Sequence, residues 1–169
     1  PDFNGSFYSS NGSVVLLKRQ INAAGAVSWG IISHFDETPG EQFFGTDIAM
    51  SPNAKTLLIN ARKQNTMTLN WTWKVYVFDL NKDLSLRSTT QLEPDDSEPN
   101  DGFGTALSVS SDGLTAIIGA PYKGTYTAGP NFGAAYIFSR PDEYIMFSQK
   151  KLSVVSSNVD LFGDAVAIS

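Results

Sequence analysis

Phe44-Gly45, Phe103-Gly104 and Phe162-Gly163 recur at intervals of 59 residues in a chain of 169. A fixed period of that size marks a repeat architecture, in which each unit buries its apolar face only against its neighbours. The residues that follow keep step. They read Thr46-Asp47-Ile48-Ala49-Met50-Ser51, Thr105-Ala106-Leu107-Ser108-Val109-Ser110 and Asp164-Ala165-Val166-Ala167-Ile168-Ser169. Bulky residues alternate with the small residues Ala49, Ser108 and Ala167, which is the period of a strand. The pattern predicts an inner strand packed on both faces, with one face close to a neighbouring sheet.

The rest of the unit follows in order. Ser110-Ser111-Asp112-Gly113 and Ser51-Pro52-Asn53-Ala54 supply hairpin turns, because Asp, Asn and Gly accept turn geometry cheaply. Thr56-Leu57-Leu58-Ile59 and Thr115-Ala116-Ile117-Ile118 are continuous apolar runs suited to a strand covered on both faces. Third strands are expected at Val75 to Phe78 and Ala135 to Phe138, with an earlier copy at Val14 to Leu17. Outer strands are expected near Leu84 to Gln91, near Ile145 to Leu152, and around Ser28 to Ile32 in the first copy. Four antiparallel strands per roughly 60 residues, repeated, predict an all-β fold of β-propeller blades.

The period sets the expected boundaries. Residues 1–43 are the outer half of a blade, 44–102 and 103–161 are full blades, and 162–169 are the first strand of a further blade. The whole is a partial propeller of about two full blades and two partial ones. Closed propellers take about four to eight blades. The chain is therefore expected to be a fragment of a longer polypeptide or to assemble with copies of itself.

Composition narrows the function classes. Hydrophobic residues make up 41% and charged residues 17%, enough apolar content for a packed core. The net charge of −5, with 12 scattered Lys and Arg, argues against nucleic-acid binding. No apolar run approaches the roughly 20 residues that span a bilayer. The absence of cysteine excludes disulfides and thiolate metal sites. Sequons for N-glycosylation stand at Asn4, Asn11 and Asn70 and are compatible with a secreted glycoprotein.

The segment Phe103-Gly104 through Gly119-Ala120-Pro121, followed by Gly133-Ala134-Ala135-Tyr136-Ile137-Phe138, resembles the FG-GAP repeat family of integrin-like propellers. The preceding copy departs, with Asn60-Ala61-Arg62 where Gly-Ala-Pro is expected; Asn is read there as a residue that tolerates the left-handed conformation. The resemblance implies an extracellular or cell-surface adhesion or recognition module, or a structural assembly unit, and not an enzyme. Its partners would be a protein or glycan, together with further blades or copies of the chain. The alternative it allows is a propeller accessory domain of a larger surface hydrolase.

Integrin-type copies carry a calcium loop between the first two strands. Here the turns at Asp112 and Asn53 hold too few carboxylates, so no cofactor is expected. The acidic run from Glu93 to Asp101 reads as a solvated connection between blades. His34, the single histidine, reads as a surface residue in a loop beside Asp36, with no nucleophile signature near it. No catalytic residue is identified. Trp71, Trp73, Tyr122, Tyr126 and Phe132 are expected in or beside the long loops joining second and third strands, where exposed aromatics can anchor a ligand, and Trp71 and Trp73 share one face if the third strand starts early.

Overall fold

The computed structural model describes residues 12–36, 42–124, 133–153 and 161–169, and among them the chain forms ten strands and no helix. They are β1 Ser13–Ile21, β2 Val27–Asp36, β3 Ile48–Met50, β4 Thr56–Gln64, β5 Trp71–Leu80, β6 Leu86–Leu92, β7 Ala106–Val109, β8 Thr115–Ala120, β9 Ala134–Ser139 and β10 Ser148–Leu152. β1 and β2 pair as a two-stranded sheet. β3 to β6 and β7 to β10 form two four-stranded antiparallel sheets in sequence order. These are propeller blades, and the set is not closed into a ring.

Each junction between sheets has its own core. Val14, Phe35, Phe44, Leu57, Ile59, Tyr76, Phe78 and Leu80 fill the junction between the first and second sheets. Leu58, Val75, Val77, Phe103, Ile118, Tyr136 and Phe138 fill the next. Alternate residues of β4 and β5 thus belong to different cores, which explains their continuous apolar runs. Phe44 and Phe103 are the wedges. Phe44 meets Phe78 edge-on at 6.3 Å, and Phe103 meets Tyr136 edge-on at 5.7 Å. Full burial of one such ring is worth about 3 kcal/mol, and the edge-on contacts add to it.

The glycine after each wedge has a specific task. Gly45, Gly104 and Gly163 adopt φ of 81°, 91° and 93°, a region that costs a residue with a Cβ. A Cβ at Gly104 would lie 2.8 Å from Val75 Cγ2 and 3.1 Å from Asn60 Cβ. The dipeptide therefore turns the chain into a new blade while its backbone lies against the third strand of the previous one.

The expectation for Asn60 is corrected. Neither Asn60 nor Gly119 has positive φ. At Gly119 the requirement is close approach, because a Cβ would collide with the Gly163 carbonyl oxygen. In the preceding copy the buried Asn60 donates Nδ2 to the Gly104 carbonyl at 2.8 Å, and its Oδ1 accepts from Thr46 and the Asp47 amide. Asn60 thus replaces a close backbone contact with a hydrogen-bonded bridge between blades.

Two strand expectations also change. Ile48 and Met50 are exposed while Ala49 packs into the core, because no strand among the described residues lies over the outward face of β3. Residues 162–169 form no strand. Gly133 and Phe162 make an isolated parallel bridge, and the Ile168 amide donates to Ser108 Oγ at 3.1 Å.

Replacing Gly104 with Ala is expected to lower unfolding stability by about 2–4 kcal/mol, since it adds left-handed strain and a clash with Val75. Ala at Gly25, which has open space around it, should cost only the strain, about 1 kcal/mol. Equal midpoints for the two variants in urea denaturation would contradict this account of the dipeptide.

Candidate binding site

The turn residues are used for folding. Asp112 Oδ1 accepts from the Leu114 amide at 2.9 Å and from Ser110 Oγ at 2.6 Å, and these bonds hold its carboxyl below the ordinary range. Asn53 repeats the arrangement, accepting from the Lys55 amide and Ser51 Oγ. It also donates Nδ2 to the Asp112 carbonyl at 2.9 Å, joining the hairpins of adjacent blades. Among the described residues, no group of three or more His, Cys, Asp or Glu is placed to hold a metal.

The acidic run is not a plain solvated link. Asp96 accepts from Lys151 Nζ at 2.6 Å and from the Tyr136 hydroxyl at 2.8 Å, and its carbonyl accepts from the buried Lys123 Nζ. Lys123 also lies 3.5 Å from Glu98. Asp101 is buried and accepts from the Phe103 and Glu98 amides. Desolvation pushes the Asp101 carboxyl up against those bonds. At Asp96 partial burial acts upward, but the Lys151 and Tyr136 hydrogen bonds hold the carboxyl below its usual range. The sequence showed the charges without showing that Lys123, in the turn after β8, and Lys151, on β10, fold back onto them.

Of the expected aromatic anchors, Trp71 and Trp73 lie beside the loop, on the third strand itself. They start β5 and, two residues apart, share one face. Arg62 lies over both rings, 4.6 Å and 5.0 Å from their centroids, and 4.0 Å from that of Phe43. The cluster is therefore largely occupied by its own arginine. Tyr122 sits in the turn after β8, with its amide on the Asp101 carbonyl at 3.0 Å. Tyr126, Phe132, Asn4 and Asn11 lie outside the described residues. His34 is corrected from loop to strand. It is on β2, its side chain is half exposed, and it stands 3.7 Å from Asp36.

A buried ion pair between blades has no sequence signature. Asp79 at the end of β5 accepts two hydrogen bonds from Arg140 of the next blade, at 2.9 Å and 2.6 Å. Both side chains are buried. Ser88 Oγ also donates to Asp79, and Arg87 lies 3.7 Å away. Isolated charges 61 residues apart give no pattern to find.

The exposed surface is concentrated on the first sheet. Val14, Leu16, Ser33 and Phe35 face the second blade. On the opposite face the register pairs Leu17 with Ile31, Arg19 with Trp29 and Ile21 with Val27. Ile31 is 73% exposed and Trp29 63%, and the other three apolar members are about half exposed. The period-2 alternation of Leu17, Arg19, Ile21 and of Val27, Trp29, Ile31 was visible in the sequence, but its orientation was not. A second concavity, of about 260 Å³, lies between the second and third blades and is lined by Leu92, Asp95, Phe138, Phe147 and Gln149.

Two outcomes are expected. Asp79→Asn should destabilise by about 3–5 kcal/mol, because Arg140 is left buried without its counter-charge. Asp79→Leu combined with Arg140→Met should cost much less, and equal losses in chemical denaturation would contradict the pairing. The second outcome concerns acid. Asp96 has a depressed folded pKa, so its contribution is present above the ordinary value of about 3.9 and is lost as pH falls through the folded one. Asp101, being raised, acts with the opposite sign. Thermal unfolding between about pH 5 and pH 2 should therefore fall less steeply in Asp96→Asn than in the parent chain.

Among the described residues no helix is long and apolar enough to cross a membrane. No curated protein matches the chain. Residues 87–138, from the outer strand of the second blade to the third strand of the next, match the family model of the FG-GAP repeat.

Proposed function

We propose that the chain is a non-catalytic, extracellular recognition and assembly module that docks through the open apolar face of β1–β2. The observation that carries this reading is the inverted amphipathicity of that sheet. Its outward face presents Leu17, Ile21, Val27, Trp29 and Ile31, whereas Lys18, Gln20 and Ser28 lie on the other side. A contiguous exposed apolar patch of this kind marks an interaction surface.

The second blade indicates what covers such a face. Gly45 lies against Val14 as Gly104 lies against Val75, so β1 corresponds to β5. Val15 and Leu17 then correspond to Tyr76 and Phe78, which are buried against the preceding sheet. The partner that fits is another blade of the same repeat, such as one from a second copy of the chain. Recognition through this surface needs no cofactor. Among the described residues, His34 has an ion-pair contact with Asp36 at 3.7 Å.

Light scattering coupled to gel filtration tests the reading. The chain should self-associate as concentration rises, and Trp29→Asp with Ile31→Asp should return it to monomer. Unfolding stability should change by less than about 1 kcal/mol, because both side chains are exposed. A parent chain that stays monomeric at every concentration would overturn the assignment.

A further inference from the structure

We infer that Asn70 is an N-glycan acceptor and that its side chain is arranged to carry the sugar in the folded state. Asn70-Trp71-Thr72 is an acceptor triplet. The structure places it where the β4–β5 hairpin re-enters the sheet, beside a protruding tip whose Met67 is 93% exposed and whose Leu69 is 66% exposed. The tip is a self-contained turn. The Asn65 amide donates to the Asn70 carbonyl at 2.8 Å, the Leu69 amide to the Asn65 carbonyl, and the Met67 and Thr68 amides to Asn65 Oδ1.

The two ends of the Asn70 amide have different surroundings. Oδ1 accepts from Asn100 Nδ2 at 3.1 Å, and the same Asn100 uses Oδ1 to accept the Trp71 amide at 2.7 Å. These bonds orient the Asn70 side chain from the adjoining interblade loop. Among the described residues Nδ2 has no hydrogen-bond partner, and it is not buried. A substituent on Nδ2 therefore leaves every bond of the site in place, since a glycosylated amide keeps its carbonyl oxygen. Thr72 is exposed. A glycan here would also cover the exposed apolar Met67 and Leu69.

The chemistry is a group transfer. Nδ2 of Asn70 forms a bond to the anomeric carbon of an oligosaccharide supplied as a lipid-linked pyrophosphate. The bond between that carbon and the pyrophosphate oxygen breaks, the lipid pyrophosphate leaves, and Nδ2 loses one proton to a base.

The inference rests on the secretory setting of the proposed function, but its test is separate from the association experiment. The full chain would be secreted from cultured animal cells behind a signal peptide. Its Asn70 peptide would then be analysed by mass spectrometry before and after peptide-N-glycosidase treatment in heavy-oxygen water. Conversion of Asn70 to labelled Asp in most molecules is expected. The corresponding gel shift should be lost in Asn70→Gln and Thr72→Ala and kept in Thr72→Ser. An unmodified Asn70 in the secreted parent chain, with or without sugar at Asn4 or Asn11, would overturn the inference. Because the parent chain is read directly, poor folding of a variant cannot mask the result. Self-association is measured on sugar-free bacterial protein, so either idea can fail alone.

Discussion

Every junction in this chain depends on the seating of one Phe-Gly step on the third strand of the preceding blade. The phenylalanine fills the space between two sheets, and the glycine lets the backbone reverse direction in contact with the neighbouring strand. The two requirements cannot be met separately. A Cβ at Gly104 would push the chain away from Val75 and withdraw Phe103 from contact with Tyr136 and Phe138. The 59-residue spacing follows from this, because each blade must return its chain to the same place before the next can begin.

Around that step the blades are joined by directed polar contacts as well as by apolar packing. Asn60 bridges to the Gly104 carbonyl, Asn53 to the Asp112 carbonyl, Thr56 to the Gly113 carbonyl, and Asp47 accepts the Leu107 amide at 2.8 Å. The Asp79–Arg140 pair closes the same interface farther out, and Arg87 joins it to Glu143 at 3.0 Å. Hydrophobic burial alone tolerates sliding of one flat sheet over another. Hydrogen bonds between fixed partners do not, because each slip would leave a buried donor or acceptor unpaired. The apolar wedges supply most of the attraction between blades, and the polar contacts set their registry.

The blades were legible in the sequence because their signals are periodic and local. Alternation, the Asp112 and Asn53 turns and the constant Phe-Gly interval each report on a few neighbouring residues, and ten strands appeared at or near the expected positions. What failed to show was anything set by distance between blades. Asn60 looked like a conformational substitute for glycine and is instead a bridge, a difference decided by a carbonyl 44 residues away. Trp71 and Trp73 were expected in or beside the loop, but the stacking of Arg62 on their rings is set by the pairing of β4 with β5 and has no local signature. The acidic run looked solvated because Lys123 and Lys151 reach it only after the third blade has folded.

The first sheet shows how the same logic extends past the described contacts. In the second blade, β5 has Tyr76 and Phe78 toward one neighbour and Val75 and Val77 toward the other, and both sets are buried. In β1 the equivalent alternation persists, but among the described residues only Val14 and Leu16 pack against a neighbouring blade. The opposite side, with Leu17, Trp29 and Ile31, therefore has the composition of an interior and the exposure of a surface. A sheet meant to face water on that side would carry its polar residues there, as antiparallel edge sheets do. Here Lys18, Gln20 and Ser28 lie instead on the face toward the second blade, beyond its reach. That distribution costs solubility unless another surface meets it. The surface with matching pleat and spacing is a second blade, because blade-on-blade contact is the only packing mode that the described repeats use.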